Sequence, residues 1–222
     1  MRPTGLMALA CAAVLTVACN GNGRNDASPT TDNGAVGTTG EKIDTSVGRS
    51  DRSFVEDLTY AGNAEVDLGR IAAERAASPD VKRFGQMMVD DHTKAGDELQ
   101  QITKQYNVTQ PAGLDDKHRD LKDRLSKLRG ADFDKAYIDA MIDGHQDVVD
   151  KLESRVDEVN RTATLTGQQP KDKNVKPETS DNSVTASLNA WAANTLPAAK
   201  AHLDKAKSIK DTLGRTNTTA KR

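Results

Sequence analysis

Four histidines occur in the 222-residue chain. Two of them close the same short pattern, Met88-Val89-Asp90-Asp91-His92 and Met141-Ile142-Asp143-Gly144-His145. In each, a methionine stands one helical turn before the histidine, so on a helix the two side chains share a face. Glu65 and His202 hold a comparable place in two other segments, each interrupting an apolar stripe. Their neighbours at three and four positions offer no local partner: Ala61, Gly62, Leu68 and Gly69 surround Glu65, and Met88, Val89, Ala95 and Gly96 surround His92. Met141, Ile142, Val148 and Val149 do the same for His145. An unpaired buried imidazole or carboxylate costs roughly 1–3 kcal/mol or more, so convergence at one level of the fold is cheaper than four separate burials.

Three imidazoles and one carboxylate make a four-ligand set for a borderline transition metal such as zinc, iron or copper. The thioethers of Met88 and Met141 would lie close enough to favour copper, although methionine at helical spacing also serves as core filling. The alternative is a metal-free network in which Glu65 and the histidines fix helix register. In either case Asp91 or Asp143 could orient an imidazole through its other ring nitrogen. Asp115-x-x-His118 reads as a solvated charged turn.

Other chemistry finds no foothold. No glycine-rich phosphate loop follows a strand, and no nucleophile motif can be placed, so nothing marks the chain as an enzyme. The net charge of −2, without a long run of Lys and Arg, disfavours nucleic-acid binding.

The elements that must carry these residues are helices. Aromatic residues make up only 3% and charged residues 29%, which suits long solvated helices better than sheets. Four segments carry helical periodicity and none carries a strand signal. The first spans 51–77, with Phe54, Leu58, Ala61, Glu65, Leu68 and Ala72 on its stripe. The second starts at Ser78-Pro79-Asp80, a capping serine followed by proline at the first helical position, and runs to Tyr106. A crossover helix over 115–128 precedes the third long segment, 132–161, whose stripe includes Phe133, Tyr137, Met141, His145 and Val156. An exposed loop, 162–182, leads to the fourth, from Ser183 to Leu213, closed by Gly214 and with a break expected at Pro197. Helices of that length, near 40 Å at about 1.5 Å per residue, suit a four-helix bundle.

Residues 1–18, MRPTGLMALACAAVLTVA, read as an export signal: Arg2 followed by an apolar run too short to span a membrane. The stretch Leu15-Thr16-Val17-Ala18-Cys19 resembles a bacterial lipobox with threonine in place of the usual leucine, which makes Cys19 the expected site of lipidation. Residues 19–50 then form a Gly-, Asn- and Thr-rich tether, residues 51–213 the folded domain, and 214–222 a tail. Once Cys11 leaves with the signal, no thiol chemistry remains.

Phe54-Val55, Ala64-Glu65-Val66, Val81-Lys82, Met88 to His92, Phe133-Asp134-Lys135-Ala136-Tyr137, His145 and Thr195-Leu196-Pro197 together resemble the bacterial domain-of-unknown-function family 4142, exported proteins placed among the ferritin-like bundles. The resemblance covers about 51–213. It implies an all-α, ferritin-like four-helix bundle with a crossover between the second and third long helices, and a place in the cell envelope facing the periplasm or the exterior. The family's recurring polar positions match Glu65, His92, His145 and His202. The chain departs from di-iron bundles, which use Glu-x-x-His: Val89, Ile142 and Ala199 stand three residues before His92, His145 and His202. The expectation is therefore a membrane-anchored envelope lipoprotein whose bundle binds one metal ion for storage, buffering or sensing. Its alternative is a non-catalytic structural or stress-related envelope protein.

Overall fold

The computed structural model describes residues 45–157 and 175–219, and every regular element among them is a helix: α1 (Arg49–Arg75), α2 (Pro79–Gln105), α3 (Asp116–Ser126), α4 (Gly130–Glu153) and α5 (Ser183–Thr219). The expected signal, lipidated Cys19 and most of the tether lie outside the described residues, as do 158–174 of the third segment and its loop.

The chain forms an all-α bundle of four long helices with α3 in the crossover. α1 packs along α2 and α4 along α5, while α2 also meets α5 and α1 meets α4. Contacts at the two ends set the directions. At one end Arg155, just past α4, bonds Asp51 at the start of α1 (2.6 Å), and Thr185 at the start of α5 donates to the other Asp51 oxygen (2.7 Å). At the opposite end the backbone N–H groups of Ala77 and Ser78, before α2, donate to the two carboxylate oxygens of Asp134 near the start of α4 (2.9 and 2.7 Å). Thus α1 and α5 run one way and α2 and α4 the other, which obliges the chain between α2 and α4 to cross the length of the bundle.

Pro79 starts α2 as expected, but the Ser78 side chain makes no capping bond. Buried Asp134 satisfies the free N–H groups from another helix instead. α1 and α2 approach closely where glycines face each other: a Cβ on Gly69 would lie 2.7 Å from the Gly85 carbonyl oxygen, and the reverse holds for Gly85.

Three boundaries differ from the sequence reading. α4 ends at Glu153, short of the expected 161, because Arg155 turns inward to Asp51 and Val156 forms an isolated antiparallel bridge with Pro177. Val156 is buried as expected, packed in an apolar cluster with Leu152 and Leu188, but from a bridge residue and not from a helical stripe. α5 runs unbroken through Pro197, which lies on the exposed face while Leu196, Ala199 and Leu203 on either side bury in the core. Packing on both sides thus holds the helix across the missing N–H bond. Gly214 does not end α5, which continues to Thr219, so the expected tail begins within a helix.

The core falls into two apolar clusters. One holds Leu58, Leu99, Val148, Leu152, Leu188 and Leu196, and the other holds Leu68, Phe84, Met88, Tyr137, Met141 and Ile209. In sequence, each of Glu65, His92, His145 and His202 falls between members of the two clusters on its own helix.

Candidate metal centre

α1, α2, α4 and α5 each send one ionisable side chain into the layer between the clusters. His145 is fully buried, and Glu65 and His202 are buried. The three imidazole centroids are 5.4 Å apart in every pairing. One nitrogen from each ring lies within 4.8 Å of those from the other two, so the three histidines form a cluster that could hold a metal ion.

The carboxylate of Glu65 joins two of them. One oxygen lies 2.9 Å from His92 Nδ1 and the other 3.2 Å from His145 Nδ1. His145 Nδ1 is also 2.9 Å from the carbonyl oxygen of Met141, one turn back. Across the layer, His202 Nε2 lies 2.9 Å from Asp91 Oδ2, which stands next to His92 but serves the histidine of a different helix. Each ring therefore has one nitrogen held by an oxygen. The other three, His92 Nε2, His145 Nε2 and His202 Nδ1, are buried without a hydrogen-bond partner among the described residues. Beyond the two imidazoles, neither Glu65 oxygen has a hydrogen-bond partner among the described residues.

This geometry sets the electrostatics. Burial raises the Glu65 carboxyl pKa, but attraction to His92 and His145 together with the His92 hydrogen bond outweighs it and holds the pKa at about 2, below the ordinary 4.5. His92 feels the reverse pull: burial disfavours its charge, yet the Glu65 carboxylate raises its pKa above 6.5. His202 is pushed below 6.5, first by burial and then by the other two rings, against the bond to Asp91. The Glu65 carboxylate thus favours a proton on His92, while burial and the neighbouring rings disfavour one on His202.

The structure brings together Glu65, His92, His145 and His202, as the stripe positions predict, but gives Glu65 a particular place, against the Nδ1 edges of two rings. Met88 and Met141 are buried in the apolar cluster with Leu68, Phe84 and Tyr137. Asp91, named among the sequence candidates, reaches His202, while Asp143 is exposed. His118 bonds Asp115 through both its backbone N–H and its ring, at 2.8 and 2.6 Å, as a local helix-start contact, and is not one of the three clustered histidines. Sequence reasoning missed the Tyr137 hydroxyl, buried without a partner among the described residues, since on its stripe Tyr137 reads as an ordinary core residue.

The sequence family described as Domain of unknown function (DUF4142) matches residues 37–167, more than half of the chain, and the protein belongs to that family. The match includes Glu65, His92 and His145 and stops before α5, so His202 lies beyond it. No curated protein and no solved structure matches the chain.

Proposed function

We propose that the protein is an exported, lipid-anchored component of the cell envelope whose helical bundle binds one transition-metal ion through His92, His145 and His202, for storage, buffering or sensing. The observation that carries this reading is the division of labour on each ring: one nitrogen held by an oxygen acceptor, the other buried and unpartnered. Metal-bound histidines characteristically give their second nitrogen to a carboxylate or carbonyl, which fixes the tautomer and strengthens the ligand. Leaving three buried nitrogens unpaired would cost roughly 1–3 kcal/mol each, a cost that a coordinated ion removes.

In this reading Glu65 orients two ligands and is not itself one, a change of role from the four-ligand set expected from sequence. An all-imidazole set suits zinc, copper or iron(II) and is a poor match for hard cations such as calcium. We assign Met88 and Met141 to packing, which leaves no thioether preference for copper. The crossover topology supports a ferritin-like assignment, whereas the absence of Glu-x-x-His gives no support to a di-iron centre. The anchoring half of the proposal rests on the lipobox-like stretch ending at Cys19.

Metal analysis of the purified protein after growth in metal-replete medium, followed by zinc titration of the stripped protein, tests the binding. The expected result is one ion per chain, lost in His92→Ala/His145→Ala. A protein that carries no stoichiometric metal and takes up none would exclude the proposal. The Glu65 bridge, which pairs two imidazoles without any ion, favours as second reading a network that only sets register. That reading predicts a melting temperature unmoved by zinc and kept or raised in His145→Leu.

A further inference from the structure

Four glycines lie inside α1 and α2, and packing explains only two of them. Gly69 and Gly85 permit the close crossing already described. Gly62 and Gly96 do not: a Cβ on either would meet nothing within 4 Å. A mid-helix glycine costs roughly 0.5–1 kcal/mol relative to alanine, so two of them without a packing reason call for another.

Both line a cavity of about 480 Å³ between α1, α2 and α5. Much of its wall is small: Ala61, Ala95, Ala198 and Ala199 accompany the glycines. The same cavity is bounded by Glu65, His92 and His202, and not by His145. The His92 and His202 side chains are 12% and 6% exposed and that of His145 is 0%, so the cavity reaches the rings of the first two while their unpartnered nitrogens stay buried. No carboxylate or cysteine among the described residues joins the three histidines as a fourth ligand. The two acids that touch the rings are engaged by their other nitrogens, Glu65 by two Nδ1 atoms and Asp91 by His202 Nε2.

We infer that this cavity is the entrance to an open coordination position: the ion held by His92, His145 and His202 takes its remaining ligand from solvent, as water or hydroxide exchangeable for a small monodentate donor. The inference rests on the metal-binding reading above and deepens it. Three protein ligands with an exchangeable position characterise metal sites that act on an incoming molecule, whereas purely structural ions are fully enclosed by protein ligands. The cavity also limits the class of donor. Arg70 is the one cationic side chain among its lining residues and is paired with Asp67, while Asp91 and Asp97 add negative charge. Small neutral or singly charged donors fit this lining, and phosphate-like polyanions do not.

Cobalt(II)-loaded full-length protein offers a direct test, with azide as the probe and the visible d–d absorption as the readout. Wild type should give a saturable spectral change with azide. Gly62→Leu and Gly96→Leu, both of which improve helix propensity where space is open, should bind cobalt at the same stoichiometry and take azide roughly tenfold or more weakly. A loaded wild-type protein whose spectrum ignores azide would overturn the inference and leave metal binding intact. Leucine variants that bind azide as wild type does would equally overturn this cavity as the route. Failure to load cobalt at all would remove the metal reading and the inference together.

Discussion

At the residue scale, Glu65 matters most, because one carboxylate governs two rings. Its folded pKa of about 2 lies below the ordinary 4.5, so between those values the native state binds fewer protons than the unfolded chain. Its contribution to stability is therefore fully present above about pH 4.5 and is lost as pH falls toward about 2. His92, raised above 6.5, behaves oppositely: its contribution is present below 6.5 and fades as pH rises through the folded value. In the metal-free protein, Glu65→Gln should flatten the fall in urea midpoint below pH 4.5, and an unchanged pH profile would contradict the assigned pairing. With metal present, the same substitution should weaken affinity by roughly 10–100-fold, the usual effect of removing a group that orients a ligating histidine. Competition with a chelator of known affinity measures it.

At the element scale, two contacts determine how the helices meet. A methyl on Gly85 would sit 2.7 Å from the Gly69 carbonyl oxygen and 2.8 Å from Ala72 Cβ, with little freedom for either backbone to yield. Gly85→Ala should therefore destabilise by about 1–3 kcal/mol in spite of its better helix propensity, and a stabilised variant in chemical denaturation would refute the close crossing. Asp134 is the other contact, since it holds the chain entering α2 from near the start of α4. Asp134→Ala strands two backbone donors and should cost about 1–3 kcal/mol, whereas Ser78→Ala, which removes no capping bond, should be nearly neutral in the same denaturation series. The helices themselves were readable from their stripes, and so was proline at the start of α2. The true cap was not, because its donor and acceptor are more than fifty positions apart in the chain.

At the scale of the whole molecule, the polar layer is a seam between two apolar clusters, and the bundle's ends are tied by Asp51, Arg155 and Thr185 on one side and Asp134 on the other. None of the described helices is long and apolar enough to cross a membrane, and the proposed lipid anchor rests on Cys19. Cys19→Ser should then shift the protein from the membrane to the soluble fraction of the producing cells, and membrane retention of that variant would argue against the lipid anchor. The helical class, the four long segments and the four polar interruptions of their stripes are legible in residue order, because helical period and apolar patterning are local properties that each segment states alone. That Asp91 serves His202 and that Glu65 faces two Nδ1 atoms emerges when the helices pack. Packing likewise sets Gly62 and Gly96 beside a cavity while Gly69 and Gly85 close a crossing. Those outcomes depend on the rotation and separation of neighbouring helices, which no single segment encodes.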